Sequence, residues 1–393
     1  MKFNSVVALG ILSVAIFLGI GGIGPKSWAN EPVDFSKFGF VRVAAISPPV
    51  AVASPEKNYE ALAQAYTQAN TVDHASWVLF PELATTGYTA EDLFLTQDLL
   101  DRSNAAVARL ALLTKGQNAA IIVGAPYRDF DGRTYNVAFV LQDGKVKGAV
   151  PKTHLPNYAE FYEKRWFDSG LGVNRQVIDP VLGEFPLSPN LLFQSGSAIA
   201  GIEICEDGWA PITPSSHLAL AGANLIFNPS ASNELVGKAD FRRELVKQNS
   251  ARLIAAYIYA SSGPTESTKD LVFGGHNLIY EDGSKLAESP RFQLAGSKLI
   301  ADVDVQKLLH ERQRNKTFGA QRTSEKMQLV SLKNSSVLPE LVRTYAKSPF
   351  IPTNPDELAS RAEDMLMIQA TGLARRLMAS KSNAMVLGIS GGL

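Results

Sequence analysis

Cysteine is almost missing from this chain. One thiol, Cys205, stands among 393 residues, so no intrachain disulfide can form. Histidine is nearly as scarce. His74, His154, His217, His276 and His310 are scattered without metal-ligand spacing, and no metal site is expected. An excess of either charge is also absent: Lys plus Arg and Asp plus Glu both number 38, for a formal net charge of zero. That balance lacks the basic footprint of a nucleic-acid-binding protein, so no nucleic-acid partner is expected. Internal repeats and low-complexity tracts are lacking as well. What remains, 46% hydrophobic and 19% charged residues, has the composition of a soluble globular protein of one large or two ordinary domains.

Long hydrophobic runs are absent except at the start. "MKFNSVVALGILSVAIFLGIGGIG" has one lysine and then no charge from Val6 to Gly24, and "PKSWAN" follows with small residues around Trp28. Residues 1–37 therefore read as a leader, which resembles a secretory signal peptide or an uncleaved anchor and implies export or membrane contact. The alternative is a spurious start, because "FGFVRVAAIS" at Phe38 is a natural beginning for a globular domain.

From Phe38 onward, short apolar strands alternate with helical patterns. "FVRVAAIS", "SWVLF", "AAIIVGAPYR", "AIAGIEIC", "NLIFNPS" and "AAYIYASS" read as strands. Asp143-Gly144 and Asp282-Gly283 read as hairpin turns. "SPEKNYEALAQAYTQAN" reads as a helix opened by Ser54 and Pro55, and "EDLFLTQDLLDRSNAAVARLALLTKGQ" as one long helix. The interleaving implies an α/β fold of mixed sheets covered by helices over residues 38–304. Beyond it, "DVDVQKLLHERQRNKTFG" reads as a helix leaving the domain, and residues 305–354 as a linker rich in turn formers. A helix from about Pro355 to Ala379 and a strand "AMVLGIS" then lead to "GGL", so residues 355–393 look like the truncated start of another domain.

The lone thiol poses a chemical problem. Cys205 ends an apolar run and is followed by two acids, Glu206 and Asp207, which disfavour a thiolate. It is either a small buried hydrophobe or a nucleophile activated from elsewhere. Two other apolar strands end on functional groups: Glu82 in "WVLFPELATTGY" and Lys152 in "GAVPKTHLPNY". Strand ends are where α/β sheets build ligand sites. A carboxylate can take the thiol proton, and an ammonium can stabilise both the thiolate and an oxyanion.

The three motifs, in this order, resemble the nitrilase superfamily of carbon–nitrogen hydrolases. That resemblance implies a nitrilase-like αββα sandwich of two mixed sheets flanked by helices. It also implies Glu82 as general base, Lys152 as oxyanion stabiliser and Cys205 as acyl-forming nucleophile. Glu163, eleven residues after the lysine, falls where the family commonly has a second glutamate, and it is expected to position. Within the superfamily, "TTGYTAEDLFLT", "LPNYAEFYEKRWF", "ICEDGWAP" and "FNPSASNELVGKADFRRELV" look like the glutaminase domain of glutamine-dependent NAD synthetases. By that resemblance Tyr158, Ser232 and Lys238 bind glutamine, with Glu206 lining the pocket. Arginine also occurs at the Lys238 place, and the two differ in how they grip a carboxylate.

The tail carries the same resemblance. "SPFIPTNP" and the following helix precede "VLGISGGL", which looks like the opening of an ATP pyrophosphatase-type α/β domain. Ser390, Gly391 and Gly392 would begin its phosphate loop, left incomplete here. The resemblance implies no cofactor for the glutaminase part, and ATP and Mg for the full-length synthetase, which would amidate deamido-NAD in a cytoplasmic homo-oligomer. Two alternatives stand beside it: a stand-alone exported or membrane-anchored amidase of the superfamily, and a non-catalytic binding protein on the same scaffold.

Overall fold

The structure, a computed structural model, describes residues 33–333, 337–345, 347–348, 350–352, 354–386 and 388. Most of the leader and all of Ser390, Gly391 and Gly392 lie outside these residues. Among the described residues no helix is long and apolar enough to cross a membrane.

Two mixed sheets form the centre. Numbered in chain order, the first holds β1 (Phe40–Ser47), β2 (Trp77–Leu79), β3 (Ala120–Arg128), β4 (Thr134–Gln142) and β5 (Lys145–Pro151). It is completed by β6 (Arg175–Asp179), β7 (Gly183–Leu187) and β14 (Ser297–Asp304), in the order β14-β1-β2-β3-β4-β5-β7-β6. The second holds β8 (Leu191–Ser195), β9 (Ala198–Ile202), β10 (Leu225–Ser230) and β11 (Ala256–Ser261). With β12 (Leu278–Glu281), β13 (Ser284–Glu288) and β15 (Gln328–Ser331) it runs β13-β12-β11-β10-β9-β8-β15.

Alternation of side chains along each strand gives every sheet two apolar faces, and both are covered. Val43, Leu79, Ile122 and Val140 of the first sheet meet Phe193, Ile202, Phe227 and Ile258 of the second in one inter-sheet core. The outer face of the first sheet packs on α1 (Pro55–Thr71) and α2 (Gln97–Leu113), through Leu62, Tyr66, Val107 and Leu110. The outer face of the second packs on α3 (Pro214–Leu220) and α4 (Lys238–Leu253), through Leu218, Val246 and Leu253. The result is the four-layer αββα sandwich.

Both expected hairpin turns are present. Asp143 and Gly144 have φ of 56° and 77°, and Asp282 and Gly283 have 48° and 74°, the left-handed pair that suits twisted strands. The long helix expected from Glu91 is broken. A 3-10 segment over Tyr88–Leu95 precedes α2, because Thr96 is extended (ψ 135°) and separates the two.

The stretch read as a linker is built into the fold over its first part. α5 (Val305–Arg314) does not leave the domain: Val305 and Leu308 enter the inter-sheet core. Its Arg312 donates to the carbonyls of Ala223 (2.6 Å), Leu253 (2.9 Å) and Ile254 (3.0 Å). After α6 (Lys316–Ala320), β15 pairs in parallel with β8. Farther on, Arg42 donates to the Glu340 carbonyl and Arg343 to Glu281. The expected terminal helix is α7 (Pro355–Ser380), capped by the Asn354 side chain. Of the strand expected after it, Ala384–Val386 are not in strand conformation and the end lies outside the described residues.

Candidate active site

Strand direction brings the first two groups together. β3 is antiparallel to β4 and β4 to β5, so β5 runs the same way as β2 and β3. Glu82, just beyond β2, and Lys152, just beyond β5, therefore emerge at the same end of the sheet. Both are fully buried. Lys152 Nζ donates to Glu82 Oε1 at 2.6 Å and to Glu163 Oε1 at 2.7 Å. An ammonium has three N–H groups, so one donor remains for a further acceptor. Asn136 Nδ2 also donates to Glu82 Oε1 (2.6 Å), and the Tyr88 hydroxyl donates to Glu163 Oε1 (2.8 Å). Glu82 Oε1 is thus held twice, while Glu82 Oε2 is buried with no hydrogen-bond partner among the described residues.

The electrostatics follow from burial. Burial alone would depress the Lys152 ammonium, but Glu163 and Glu82 override it and hold its pKa well above the usual range. Burial also pushes the Glu163 carboxyl upward, with Lys152 opposing and Glu82 reinforcing. The cluster stores one ammonium between two carboxyls in a buried site, where removing any member is costly.

Cys205 opens a 3-10 turn over Cys205–Trp209, three residues past β9, with φ +46°. That left-handed backbone costs a non-glycine residue about 1–2 kcal/mol and needs a hold. Its N–H donates to Asn228 Oδ1 at 3.0 Å. The acid two places on supplies a second hold. Asp207 accepts from the Ile204 N–H (3.0 Å), the His154 N–H (2.7 Å) and the Thr153 hydroxyl (2.5 Å), which ties the turn to the residues just after Lys152. Burial raises the Cys205 thiol far above its ordinary value; Glu82 and Glu163 add to this, and Lys152 and the Ala231 N–H oppose it. The resting group is a thiol, so any attack must be coupled to proton removal.

The expected substrate residues gather around this turn. Glu206 faces Tyr158, whose hydroxyl donates to Glu206 Oε1 at 2.9 Å. Ser232 follows Ala231, and its hydroxyl accepts from Arg242 Nη2 at 3.0 Å. Lys238, first residue of α4, donates to Asn233 Oδ1 and lies near the rings of Phe161 (5.6 Å) and Trp209 (5.8 Å). Burial lowers its pKa. A cleft opens beside Tyr88, Glu160, Phe161 and Trp166. Among the described residues no group of three or more His, Cys, Asp or Glu is arranged to hold a metal.

Sequence reading missed Asn136, Tyr88 and Arg242. Asn136 is one of two amides in β4, with Gln142, so its residue type alone does not mark it. Arg242 is fully buried and holds Glu234 (3.0 Å), the Asn233 carbonyl (3.1 Å) and Ser232. It sits one turn after Lys238, on the same helical face.

The fold and this strand-end cluster define a carbon–nitrogen hydrolase: that family's profile matches residues 42–310, and the chain belongs to it. Among particular relatives, the glutamine-dependent NAD(+) synthetase of Mycobacterium tuberculosis (strain ATCC 25618 / H37Rv) is 37% identical over 365 residues, 90% of this chain and 53% of that protein. The synthetase of the same name from Mycobacterium leprae is 35% identical over 367 residues, again 90% of this chain and 53% of that protein. The crystal structure of a glutamine-dependent NAD(+) synthetase from Cytophaga hutchinsonii matches with a TM-score of 0.61 and 28% identity, over 67% of this chain and 43% of that one. The chain spans about half the length of the curated relatives it matches.

Proposed function

We propose that the chain hydrolyses the side-chain amide of glutamine through Cys205, Glu82 and Lys152. The observation that carries this is the division of labour at Glu82: Oε1 is fixed by Lys152 and Asn136, while Oε2 is free to accept a proton. Cys205 Sγ attacks the amide carbon as its proton passes to Glu82. The free N–H of Lys152 stabilises the oxyanion. Collapse expels ammonia, which takes the proton from Glu82, and leaves a thioester on Cys205. Water, deprotonated by Glu82, then releases glutamate and restores the thiol. Glu163 and Tyr88 keep Lys152 in place throughout.

Glutamine is proposed because the relatives named above are glutamine-dependent. Lys238 would pair with the substrate α-carboxylate, Glu206 and Tyr158 with its ammonium, and Ser232 would line the same pocket. In the whole protein the ammonia would amidate deamido-NAD with ATP and Mg, in the part of the relatives this chain does not match. The test is ammonia release from glutamine by the wild type and by Cys205→Ala. Equal rates in both would sink the mechanism, and faster release from simple aliphatic amides than from glutamine would point to a general amidase.

A further inference from the structure

We infer that Glu203, acting through Tyr257 and Asn228, fixes the position and hydrogen-bond polarity of the Cys205 backbone and is a positioning residue for the nucleophile. This rests on the proposed role of Cys205. Glu203 follows β9 and is 1% exposed. Its Oε2 accepts from the Ser215 N–H at 2.9 Å, and its Oε1 accepts from the Tyr257 hydroxyl at 2.5 Å. Tyr257 has then used its single proton, so its oxygen accepts from Asn228 Nδ2 at 2.8 Å. The two ends of an amide differ. With Nδ2 committed to Tyr257, Asn228 Oδ1 must face the other way, where it accepts from the Cys205 N–H (3.0 Å) and the Ser230 hydroxyl (2.7 Å).

In its ionised form, which prevails above about pH 7, Glu203 can only accept, so the direction of every bond in this relay is then dictated from Glu203 outward. A flip of the Asn228 amide would turn its N–H group toward the Cys205 N–H and release the left-handed backbone. A separate observation seats the turn on the relay. A Cβ at Gly208 would lie 2.8 Å from both Asn228 Nδ2 and the Tyr257 oxygen, and 3.3 Å from Glu203 Oε1. The turn that carries the thiol therefore rests directly on these three side chains. The relay is also unexplained by stability. Burial pushes the Glu203 carboxyl up to about 7, the nearby Asp207 charge reinforces this, and among the described residues no cation is one of its hydrogen-bond partners.

The experiment uses the fact that Cys205 is the only thiol of the chain, so alkylation by iodoacetamide reports on it alone. The sulfur–carbon bond forms as iodide leaves, and the thiol proton goes to base. Rates of alkylation, and kcat and KM for glutamine, are compared in Glu203→Gln, Asn228→Asp, Tyr257→Phe and the Glu203→Gln/Asn228→Asp double variant. In Glu203→Gln the new amide N–H group must face either Tyr257 or the Ser215 N–H. In Asn228→Asp a second acceptor competes for the one tyrosine proton. In the double variant every bond can be made, two with the polarity reversed and the last unchanged: Gln donates to Tyr257, Tyr257 donates to Asp, and Asp accepts from the Cys205 N–H. Each single change is expected to slow alkylation and kcat by about tenfold or more, with KM within about twofold, as expected for one unsatisfied buried group. The double variant is expected to be faster than either of its parents. A double variant no faster than the slower parent overturns the inference, as does wild-type alkylation in folded Tyr257→Phe. Should the wild type release no ammonia from glutamine while the alkylation pattern holds, the proposed function fails and the relay stands.

Discussion

Gly124 determines how close β3 can come to the segment that carries Glu82. Its N–H donates to the Pro81 carbonyl (3.3 Å) and its own carbonyl accepts from the Thr85 N–H (3.2 Å). A Cβ placed there would lie 2.6 Å from the Pro81 oxygen and 2.7 Å from the Glu82 carbonyl carbon, with the Leu83 nitrogen nearer still. These are backbone atoms, so no side chain can swing aside. Restoring ordinary contact, about 3.4 Å, with the nearest of them, the Leu83 nitrogen, moves the Glu82 segment by about 1.1 Å, in a core where added methyl groups typically cost ~1–3 kcal/mol. The Glu82 Oε1 bonds to Lys152 and Asn136, both 2.6 Å, cannot survive that shift at their present lengths. Gly124→Ala should therefore lower kcat for glutamine hydrolysis by about 100-fold, the usual effect of an ångström-scale misplacement. It should also lower the melting temperature by several degrees, while the protein remains folded by circular dichroism. Ammonia release followed in a coupled assay gives the first quantity and thermal melting the second. A folded Gly124→Ala protein with wild-type kcat would refute the claim that this close approach positions the base.

Two further outcomes follow from charge. Lys152→Met removes the ammonium between Glu82 and Glu163 and should cost ~3–5 kcal/mol at pH 8. The loss should be smaller at pH 5: Glu163 already has a raised folded pKa, so its contribution to stability is present below the unfolded value and disappears as pH rises. Urea melts at the two pH values check this, and an equal loss at both contradicts it. Lys238→Ala should raise the KM for glutamine by about tenfold and leave kcat within about threefold, the signature of lost ground-state binding. Lys238→Arg keeps the charge with a different grip and should raise KM less than Lys238→Ala, and a fall in kcat alone would count against the carboxylate role.

Much of this site could be read from the sequence because its main groups stand at the ends of apolar strands, which period and composition reveal. Glu82, Lys152 and Cys205 each follow such a run. Their partners were hidden for a physical reason: hydrogen bonds across strands leave no local pattern. Tyr88 reaches Glu163 over a separation of 75 residues, and Asn136 reaches Glu82 over 54. Arg242 was obscured by α4, which buries Arg242, Asn249 and Ser250 beside Ala239, Val246 and Leu253, so its inward face does not read as apolar. β15 was missed because its four residues "QLVS" pair along one side only and stay largely exposed, giving no alternation. The turn formers around it read as a linker, although the backbone there is part of a sheet.

That short strand separates two ideas of where a catalytic module stops. The family profile ends at residue 310, before β15, yet β15 is what occupies the open side of β8. An enzyme cut at the profile boundary would bare the β8 backbone from Leu191 to Ser195, a row of unpaired N–H and C=O groups of the kind that recruits other chains. Recombination or engineering that swaps partner domains onto this hydrolase therefore has to join beyond Ser331, so that β8 keeps its neighbour and the edge left open is the shorter β15.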